Sequence, residues 1–440
     1  MYDTLSAAAN AAACRDMSPS RRRSTTTAGD RALLWHPYTQ MLTAPAPIPI
    51  ARAKGVRLYG SDGRVLIDAI GSWWVNIHGH CHPRLARAVR RQISALDHVL
   101  FAGFTHAPAV ELARKLISLA PRGLERVFYS DDGSTAVEAG LKMAMQYWRN
   151  KGRPRKRTLA AFEKAYHGDT AGAMSLSARS VFTRAFEPLL FPVRRVPAEP
   201  GRLDAFLRRN SASLAAVIVE PLIQAAGGMR FSSPAFLARL AALCRRHEVL
   251  LIADEVMTGF GRTGRMFACE HVGVSPDILC LSKALTGGVL PLAATLTSEK
   301  VYSAFLGKDP LKTFYHCHSY TANPVACAAA LENLRIFEEE PVLERVLRIE
   351  ARFKERLLPL KRLPQVADAR VLGAVGVVEL TWTGGYLAGI GRRLSAEFLR
   401  RGVLLRPLGN VLYLTPPYSI SRKDLDFVLD KIEDVVSSLA

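Results

Sequence analysis

The sequence predicts an α/β protein with two parts, a large domain built on a mostly parallel central sheet and a smaller α+β domain after it. From residue 127 onward, short runs of branched aliphatic residues alternate with segments of helical periodicity, which is typical of βαβ units. Two of these runs, 249–253 and 278–282, are each followed by one charged residue, Asp254 and Lys283. Because strands of a buried parallel sheet are apolar on both faces, we expect these charges at the carboxyl ends of strands, where such sheets bind ligands.

The length of 440 residues exceeds one ordinary core and indicates several substructures. Residues 1–30 are rich in Ala, Ser, Thr and Arg without apolar periodicity, which predicts a disordered extension. We predict that residues 31–75 join the small domain, that residues 76–325 form the large domain and that residues 326–440 form the small C-terminal domain.

The individual elements follow from periodicity and turn residues. In the first half we predict a hairpin around the turn at 61–63, helices at 83–96 and 108–119, a strand at 126–130, a helix from Thr135 and a strand at 157–162. In the second half we predict a strand at 213–221, helices at 234–247, 324–339, 341–358 and 391–401, strands at 368–380, 403–407 and 411–417, and a terminal helix.

The composition of the chain limits the classes of function that this protein can have. Hydrophobic residues make up 49% and charged residues 22% of the chain, as in globular proteins, and no apolar run reaches the ~20 residues of a membrane helix. The net charge of +20 is spread along the chain without a recognisable nucleic-acid module, so we predict neither a nucleic-acid nor a membrane partner. Seven cysteines at irregular spacings, without a secretory segment, favour a reducing compartment, and we predict a cytoplasmic protein.

Three motifs resemble metal-binding or dinucleotide-binding patterns but lie in the wrong sequence context. The clusters at 78–82 and 316–318 contain His and Cys without a paired C-x-x-C or an H-E-x-x-H frame, so we predict no metal site. Residues 259–264 match G-x-G-x-x-G, but five residues separate the motif from the preceding strand, which argues against dinucleotide binding. We expect these glycines to shape a loop of the active site.

Asp254 and Lys283 together suggest a particular chemistry. A buried lysine readily forms a Schiff base with a carbonyl group, and an aspartate on the same rim can keep a pyridine nitrogen protonated. Both properties fit pyridoxal 5'-phosphate. Taken alone, either residue has an ordinary explanation, because Lys283 can cap a surface loop and Asp254 can cap a helix.

Residues 130–138 open a helix directly after a strand and provide a candidate phosphate site. Gly133 lets backbone amides approach a ligand, Ser134 offers a hydroxyl group, and the helix N-terminus carries partial positive charge. An ordinary helix start with a capping box at Thr135–Glu138 is the alternative. The carboxylate of Asp132 would repel a phosphate, so we expect it to point away or to cap the helix.

Three further residues are candidates for ligand contacts. Tyr166 lies in a loop where its ring can cover a flat cofactor, and Trp73 belongs to a tryptophan pair suited to an apolar or cationic ligand. Arg406 is a lone planar cation among apolar residues and suits a carboxylate, with an internal salt bridge as the alternative.

The motifs in combination resemble a known family. They are Trp35–Met41, GSWWVNIHGH from 71, DDGSTAVE from 131, YHGDTAGAMS from 166, IVEP from 218, QAAGGMR from 224, IADEVMTGFGRTGRMFACEH from 252, PDILCLSKALTGG from 276 and RPLGNVLYLTPPY from 406. From Trp35 to the C-terminus, the chain resembles the class III, fold type I pyridoxal-phosphate aminotransferases. Residues 35–41 and 264–271 resemble the members that act on 8-amino-7-oxononanoate in biotin synthesis.

The resemblance implies a role for each candidate residue. Lys283 would hold the cofactor and move the proton, and Tyr38 would be the second catalytic residue. The other cofactor-binding residues would be Gly133, Ser134, Tyr166, Asp254, His318 and Ser319. Substrate would be bound by Tyr38, Trp73, Tyr166, Lys283, Cys317 and Arg406, with Arg406 on the carboxylate. Ser319 would reach the phosphate in the partner subunit, which implies a homodimer with shared active sites.

The implied reaction converts 8-amino-7-oxononanoate into 7,8-diaminononanoate. Trp73 matches members that use S-adenosyl-L-methionine as amino donor, but those members have Gly-Pro-Thr at the positions of Cys317, His318 and Ser319. A His-Ser-Tyr-Thr version, as at 318–321 here, occurs in relatives that use lysine. We therefore expect adenosylmethionine as donor, with lysine as the alternative. A different ω-aminotransferase and, more distantly, a basic nucleotide-binding protein are the other hypotheses.

Overall fold

The structure is a computed structural model that describes residues 19–387 and 389–439. Its elements up to the middle of the chain are α1 (Pro19–Leu33), β1 (Ile50–Lys54), β2 (Arg57–Gly60), β3 (Val65–Asp68), α2 (Gly71–Trp74), α3 (Pro83–Ile93), α4 (Ala107–Leu119), β4 (Leu124–Ser130), α5 (Gly133–Asn150), β5 (Thr158–Phe162), α6 (Ala171–Leu176), β6 (Arg194–Val196), α7 (Pro200–Asn210) and β7 (Leu214–Val219).

The second half of the chain continues the same numbering. Its elements are β8 (Ile223–Gln224), β9 (Arg230–Phe231), α8 (Pro234–Arg246), β10 (Leu250–Asp254), β11 (Ile278–Leu281), β12 (Ala293–Ser298), α9 (Glu299–Tyr302), α10 (Pro324–Glu339), α11 (Val342–Leu357), β13 (Val366–Leu372), β14 (Val375–Leu380), α12 (Ile390–Arg400), β15 (Val403–Leu404), β16 (Val411–Leu414) and α13 (Arg422–Ser437). Short 3-10 turns lie between several of them, including Lys283–Thr286 after β11.

The central sheet has seven strands in the order β4-β12-β11-β10-β7-β5-β6. Only β12 runs antiparallel to its neighbours, and the other pairs are parallel. Every residue of β7, β10 and β11 is buried, as their aliphatic sequences require. The predicted α/β class and its mostly parallel sheet are confirmed. Neighbouring β10 and β11 place Asp254 opposite Cys280, which brings the ends of both strands to one edge.

The N-terminal and C-terminal parts of the chain share a sheet. The predicted hairpin is β2 and β3, which pair antiparallel, and β3 pairs in parallel with β15 through Ile67 and Val403. A separate antiparallel sheet, β13-β14-β16, packs against α11 through β13 and β14. These pairings support the proposal that residues 31–75 join the small domain.

Helix α10 begins at Pro324, close to the predicted domain boundary at residue 325. It packs mainly against α3, α4 and the turn at Lys283–Thr286, all of which belong to the large part of the molecule. We therefore propose that the boundary lies near residue 340, after α10. Sequence periodicity predicts the helix but contains no information about which core buries it.

Several boundaries differ from the sequence prediction, and the predicted strand at 368–380 is two antiparallel strands, β13 and β14. Residues 19–30 were predicted as part of a disordered extension but belong to α1, while residues 1–18 lie outside the described residues. The absence of an apolar stripe argues against a buried helix, whereas an exposed helix can form from residues such as Ala and Arg with high intrinsic propensity. Helix α5 starts at Gly133 rather than Thr135, because Asp132 caps it.

No helix within residues 19–387 and 389–439 has both the length and the apolar character needed to cross a membrane.

Candidate active site

A cavity of about 760 Å³ opens at the carboxyl ends of β7, β10 and β11. Its lining includes Lys283, Asp254, Tyr166, Gly133 and Ser134. Five predicted site residues from four separate stretches of sequence therefore meet in one place. We call this space the cofactor cavity.

Lys283 is partly buried at the start of the 3-10 turn that follows β11. Its backbone has φ of +47°, in the left-handed region that costs energy for a residue other than glycine. Burial lowers the pKa of its amine, although Asp254 acts in the opposite direction. A lowered pKa increases the fraction of neutral amine, which is the nucleophilic form. The amine also lies 5.2 Å from the ring centroid of Trp74.

Asp254 is the last residue of β10 and is buried. Its Oδ1 accepts a hydrogen bond from the backbone N–H of Val256 at 3.1 Å, and its Oδ2 lies 2.7 Å from Nδ1 of His167. The Nε2 atom of His167 is buried and has no hydrogen-bond partner in the described part of the chain. These contacts hold the carboxylate in one orientation at the floor of the cavity.

Glu220 is a second buried carboxylate in the same cavity, and it is not among the site residues predicted from the sequence. It accepts hydrogen bonds from the backbone N–H groups of Tyr166 at 3.0 Å and Ala225 at 2.9 Å. Burial raises the pKa of Glu220 to about 7. Its position directly after the apolar strand β7 is the same signal that identified Asp254, and this signal was available in the sequence.

The N-terminus of α5 forms the end of the cavity nearest Ser134. Asp132 accepts a hydrogen bond from the backbone N–H of Thr135 at 3.0 Å, and the backbone N–H of Asp132 is bonded to Thr135 Oγ1 at 3.1 Å. The capping box is therefore Asp132–Thr135 and not Thr135–Glu138. The carboxylate of Asp132 caps the helix, which leaves the amides and hydroxyl at 133–134 available to an anion.

Two glycines allow the close packing around this end. A Cβ atom on Gly133 would lie 2.5 Å from Cγ1 of Val256, and one on Gly168 would lie 2.2 Å from Oγ of Ser134. Gly168 also has φ of +132°, and the backbone N–H of Asp169 donates to Ser134 Oγ at 3.2 Å. Only glycine fits at either position without displacing Val256 or Ser134.

These residues fit pyridoxal phosphate. A partly buried amine, a fixed carboxylate and a helix N-terminus with closely packed glycines lie around one cavity, and each matches one reactive or charged part of the cofactor. Tyr166 also lines the cavity, where a ring is needed to cover the cofactor.

A second cavity of about 580 Å³ adjoins the first, and Lys283, Tyr166 and Trp74 line both. Its lining also includes Tyr38, Trp73 and Arg406, which the sequence analysis assigned to the substrate. We call this space the acceptor cavity.

The guanidinium carbon of Arg406 lies 4.2 Å from the ring centroid of Trp73. Within the described part of the chain, Arg406 forms no ion pair with a carboxylate, so the internal salt bridge considered from the sequence is not formed there. A cation that is stacked on a ring and free of a carboxylate partner is available to an anionic ligand.

Tyr38 reaches the acceptor cavity from the N-terminal segment. Its hydroxyl donates to Oδ2 of Asp169 at 2.5 Å, and its ring meets that of Trp73 edge-on at a centroid distance of 5.8 Å. Burial, followed by the hydrogen bond to Asp169, raises the pKa of Tyr38 to about 12. Asp169 follows the Tyr166-His167-Gly168 motif, and its contact with Tyr38 spans too much sequence for a local pattern to reveal.

The tryptophan pair is held by strained backbone. Ser72, Trp73 and Trp74 have φ values of +44°, +72° and +74°, which are unusual for residues with side chains. Arg262, buried within the glycine-rich stretch 259–264, donates to the carbonyl of Trp74 at 3.0 Å. Residues 259–264 line neither cavity, so this loop supports Trp74 from behind instead of shaping the site directly.

The structure does not bring Cys317, His318 and Ser319 into either cavity of the same chain. His318 Nε2 lies 3.6 Å from Oδ1 of Asp131, and the carbonyl of Ser319 lies 2.7 Å from Nε2 of His98. Cys317 is exposed. These three residues therefore occupy a loop outside the site that contains Lys283.

The fold and the two cavities define a pyridoxal-phosphate-dependent aminotransferase. Residues 38–436 match the model of the family described as aminotransferase class-III, and the chain belongs to this family. The family resemblance inferred from the sequence is therefore confirmed.

Several relatives support the same assignment. The chain is 48% identical over 421 residues to adenosylmethionine-8-amino-7-oxononanoate aminotransferase of Synechococcus elongatus, covering 92% of this chain and 99% of the relative. It is 40% identical over 438 residues to the protein of that name from Geobacter sulfurreducens, covering 93% and 97%.

Solved structures agree with the fold. The crystal structure of adenosylmethionine-8-amino-7-oxononanoate aminotransferase from Methanocaldococcus jannaschii superposes with a TM-score of 0.90 at 36% identity, over 93% of this chain and 99% of that one. An (S)-enantioselective ω-transaminase from Thermomicrobium roseum superposes with a TM-score of 0.88 at 29% identity, over 94% and 98%.

Proposed function

We propose that this chain transfers an amino group to 8-amino-7-oxononanoate and produces 7,8-diaminononanoate, with pyridoxal phosphate as cofactor. The observation that carries the proposal is the position of Arg406, stacked on Trp73 in a cavity that Lys283 also lines. A keto acid with a distant carboxylate needs a cavity that is lined by both a cation and a reactive amine. The named relatives support this choice of substrate.

Lys283 supplies the nucleophilic amine and later carries the proton. Pyridoxal phosphate, held by Lys283, Asp254, Gly133 and Ser134, would supply an electron sink and a carrier for the amino group. The lowered pKa of Lys283 makes its neutral amine available both to attack and to remove a proton.

Asp254, oriented by His167, would stabilise the positive charge on the ring nitrogen of the cofactor. A carboxylate in a dry cavity stabilises a protonated ring nitrogen strongly, because the local dielectric constant is low. His167 fixes the orientation of Asp254, and the helix N-terminus at Gly133 and Ser134 fixes the phosphate.

The acceptor cavity suits a long apolar chain that ends in a carboxylate. Arg406 offers its guanidinium to the carboxylate, and the rings of Trp73 and Tyr38 offer apolar surface to the chain of the substrate. Tyr38 stays protonated at neutral pH, since its pKa is about 12, and its hydroxyl is therefore a hydrogen-bond donor during turnover.

We propose S-adenosyl-L-methionine as the amino donor, with lysine as the alternative. Seven aromatic residues line the acceptor cavity and support adenosylmethionine, because rings bind both an adenine and a sulfonium cation. They are Tyr38, Trp73, Trp74, Tyr166, Phe182, Tyr386 and Tyr413. The His318-Ser319 sequence supports lysine.

We propose that the enzyme works as a homodimer and that Cys317, His318 and Ser319 complete the partner's site. The loop that contains them lies outside the cavities of its own chain, and large aromatic side chains next to it in sequence are exposed. Tyr315 is 75% and Tyr320 65% exposed. An apolar surface of this kind is typical of an obligate interface. We place the enzyme in the cytoplasm, since the described cysteines are free thiols.

The experiment that tests this function is a single-turnover assay of the holoenzyme with 8-amino-7-oxononanoate and each donor separately. Amino-group transfer from adenosylmethionine, with little from lysine, is the expected result. Lys283→Ala should abolish both transfer and the visible absorbance of bound cofactor, whereas Lys300→Ala, which removes an exposed amine paired with Asp277, should retain both. Absorbance that survives Lys283→Ala would contradict the assignment of the cofactor lysine.

Another ω-aminotransferase activity is the second candidate, and the superposition with the Thermomicrobium enzyme supports it. The two functions differ in their need for a carboxylate. Equal turnover of 8-amino-7-oxononanoate and a neutral ketone of similar length would favour the second candidate, because Arg406 would then contribute nothing to recognition.

A further inference from the structure

Arg370 lies on β13, in the C-terminal part of the chain, and its side chain contacts the large domain. Its Nε donates to the carbonyl of Met229 at 2.7 Å, and its Nη2 donates to the carbonyl of Gly228 at 2.9 Å. The side chain is only 14% exposed. One guanidinium therefore holds both carbonyls of a turn that belongs to another part of the structure.

The remaining nitrogen of Arg370 bonds two carboxylates. Nη1 donates to Oδ2 of Asp368 at 3.0 Å and to Oε2 of Glu379 at 2.7 Å. Asp368 and Glu379 are directly opposite each other in the β13–β14 pair. Like charges in such a position destabilise a sheet, and the guanidinium between them offsets the repulsion.

The turn at 225–230 is held from both sides. On one side it packs so closely against the 162–166 segment that a Cβ atom on Gly227 would lie 2.0 Å from the carbonyl oxygen of Lys164. Gly228 and Met229 have φ of +101° and +49°, so the turn includes an unfavourable left-handed residue other than glycine. The two hydrogen bonds from Arg370 lie on its other side and stabilise this conformation.

The same turn forms part of the acceptor cavity. Ala226, Gly227, Gly228 and Arg230 line that cavity, and so does Glu379. The backbone N–H of Ala225 donates to Glu220 in the cofactor cavity. A displacement of the turn therefore alters the wall that faces the substrate and moves a contact of Glu220.

We propose that Arg370 is a positioning residue for the acceptor, because it fixes the turn at 225–230 as one wall of the acceptor cavity. This inference rests on the proposed function, in which that cavity receives the keto acid. Four hydrogen bonds from one planar group need the rigid fork of arginine, which a lysine ammonium cannot reproduce despite its equal charge.

The test compares Arg370→Lys and Arg370→Gln with a matched control, Arg356→Lys. Arg356 is also in the C-terminal part and is similarly buried, and it bonds Glu433 and Asp430 through Nε and Nη2. It lines neither cavity. Replacement of either arginine removes a buried set of charged hydrogen bonds, but only Arg370 contacts the turn. Steady-state kinetics with 8-amino-7-oxononanoate, the absorbance of bound cofactor and thermal unfolding are measured for each holoenzyme.

For Arg370→Lys we expect KM for the keto acid to rise about tenfold, with kcat within about twofold of the native value and unchanged cofactor absorbance, since a small displacement of a binding wall is costly. Arg370→Gln should raise KM further, and Arg356→Lys should lower thermal stability without changing KM. An unchanged KM in both Arg370 variants would overturn the inference, as would an equal rise in Arg356→Lys. Absence of native turnover with the keto acid would instead overturn the proposed function. The KM comparison would then use whichever keto acceptor the native enzyme accepts.

Discussion

The Nδ1 atom of His167 lies 2.7 Å from Oδ2 of Asp254, and both side chains are buried beneath the cofactor cavity. An ionised carboxylate at this distance requires a proton on Nδ1, so the imidazole donates to Asp254. We therefore predict that the histidine acts through the aspartate, by fixing the orientation of its carboxylate.

Asp254→Asn is expected to lower kcat about 100-fold or more, which corresponds to roughly 2.7 kcal/mol, because a neutral amide cannot stabilise a protonated ring nitrogen. His167→Gln is expected to lower kcat about tenfold, through a less well oriented carboxylate. Single-turnover rates with saturating donor measure both effects.

The double variant distinguishes this arrangement from two independent roles. If His167 acts through Asp254, adding His167→Gln to Asp254→Asn should lower kcat only slightly further. Fully additive losses would contradict the arrangement. His106→Gln is the control, since His106 is also buried but bonds the carbonyl of Ala322 away from both cavities.

The contrast between Asp254 and His167 shows what the sequence could reveal. Asp254 and Lys283 were predictable because each is one charge directly after an apolar run, a pattern that arises wherever a buried strand ends at a ligand site. The role of His167 was not predictable, because 87 residues separate it from Asp254 and only the fold brings them together. The same reason applies to Asp169 and Tyr38, which are 131 residues apart. No sequence pattern around Arg370 indicates its contact with the turn at 225–230.

Arg406→Ala is expected to raise KM for the keto acid by an amount equivalent to ~1.5 to 3 kcal/mol, about 10- to 150-fold, through loss of a charged hydrogen bond. Because the contact is made equally in the bound substrate and during reaction, kcat should change little. Steady-state kinetics with a keto acid and with the corresponding methyl ester provide the measurement. The native enzyme should prefer the acid, and the variant should lose that preference. An unchanged KM would remove Arg406 from the substrate site.

His78 predicts a pH dependence of stability. Its imidazole is buried, with Nε2 2.7 Å from Oδ1 of Asn333, and burial lowers its pKa to about 4 from an ordinary value near 6.5. Between these two values the unfolded chain binds a proton that the folded chain excludes. The contribution of the neutral His78 side chain to the free energy of unfolding is therefore fully present above pH 6.5 and is lost as the pH falls toward 4.

We expect the titration of His78 to lower the free energy of unfolding of the native enzyme by roughly 2 kcal/mol when the pH falls from 7 to 4.5. Denaturant unfolding of the native enzyme and of His78→Gln at both pH values measures this difference, because glutamine does not titrate. The pH dependence should be shallower in His78→Gln by about this amount. His36→Gln is the control, since His36 lies outside the core with its side chain 36% exposed. Equal pH dependence in the native enzyme and in His78→Gln would show that the buried imidazole is not responsible.

Ser319 and Lys283 provide a test of the shared active site, because the two residues are proposed to meet only across a dimer. Lys283→Ala should be inactive through loss of the amine, and Ser319→Asp should be inactive because a carboxylate beside the phosphate repels it.

In a mixed dimer of the two variants, both defects fall in one site and the other site is intact. Random association of equal amounts of the two variants should therefore restore about a quarter of the native activity. If each site were built from one chain alone, both sites of every mixed dimer would carry one defect, and the mixture would stay inactive. Co-expression with two different affinity tags, followed by isolation of the mixed dimer, measures the recovery directly.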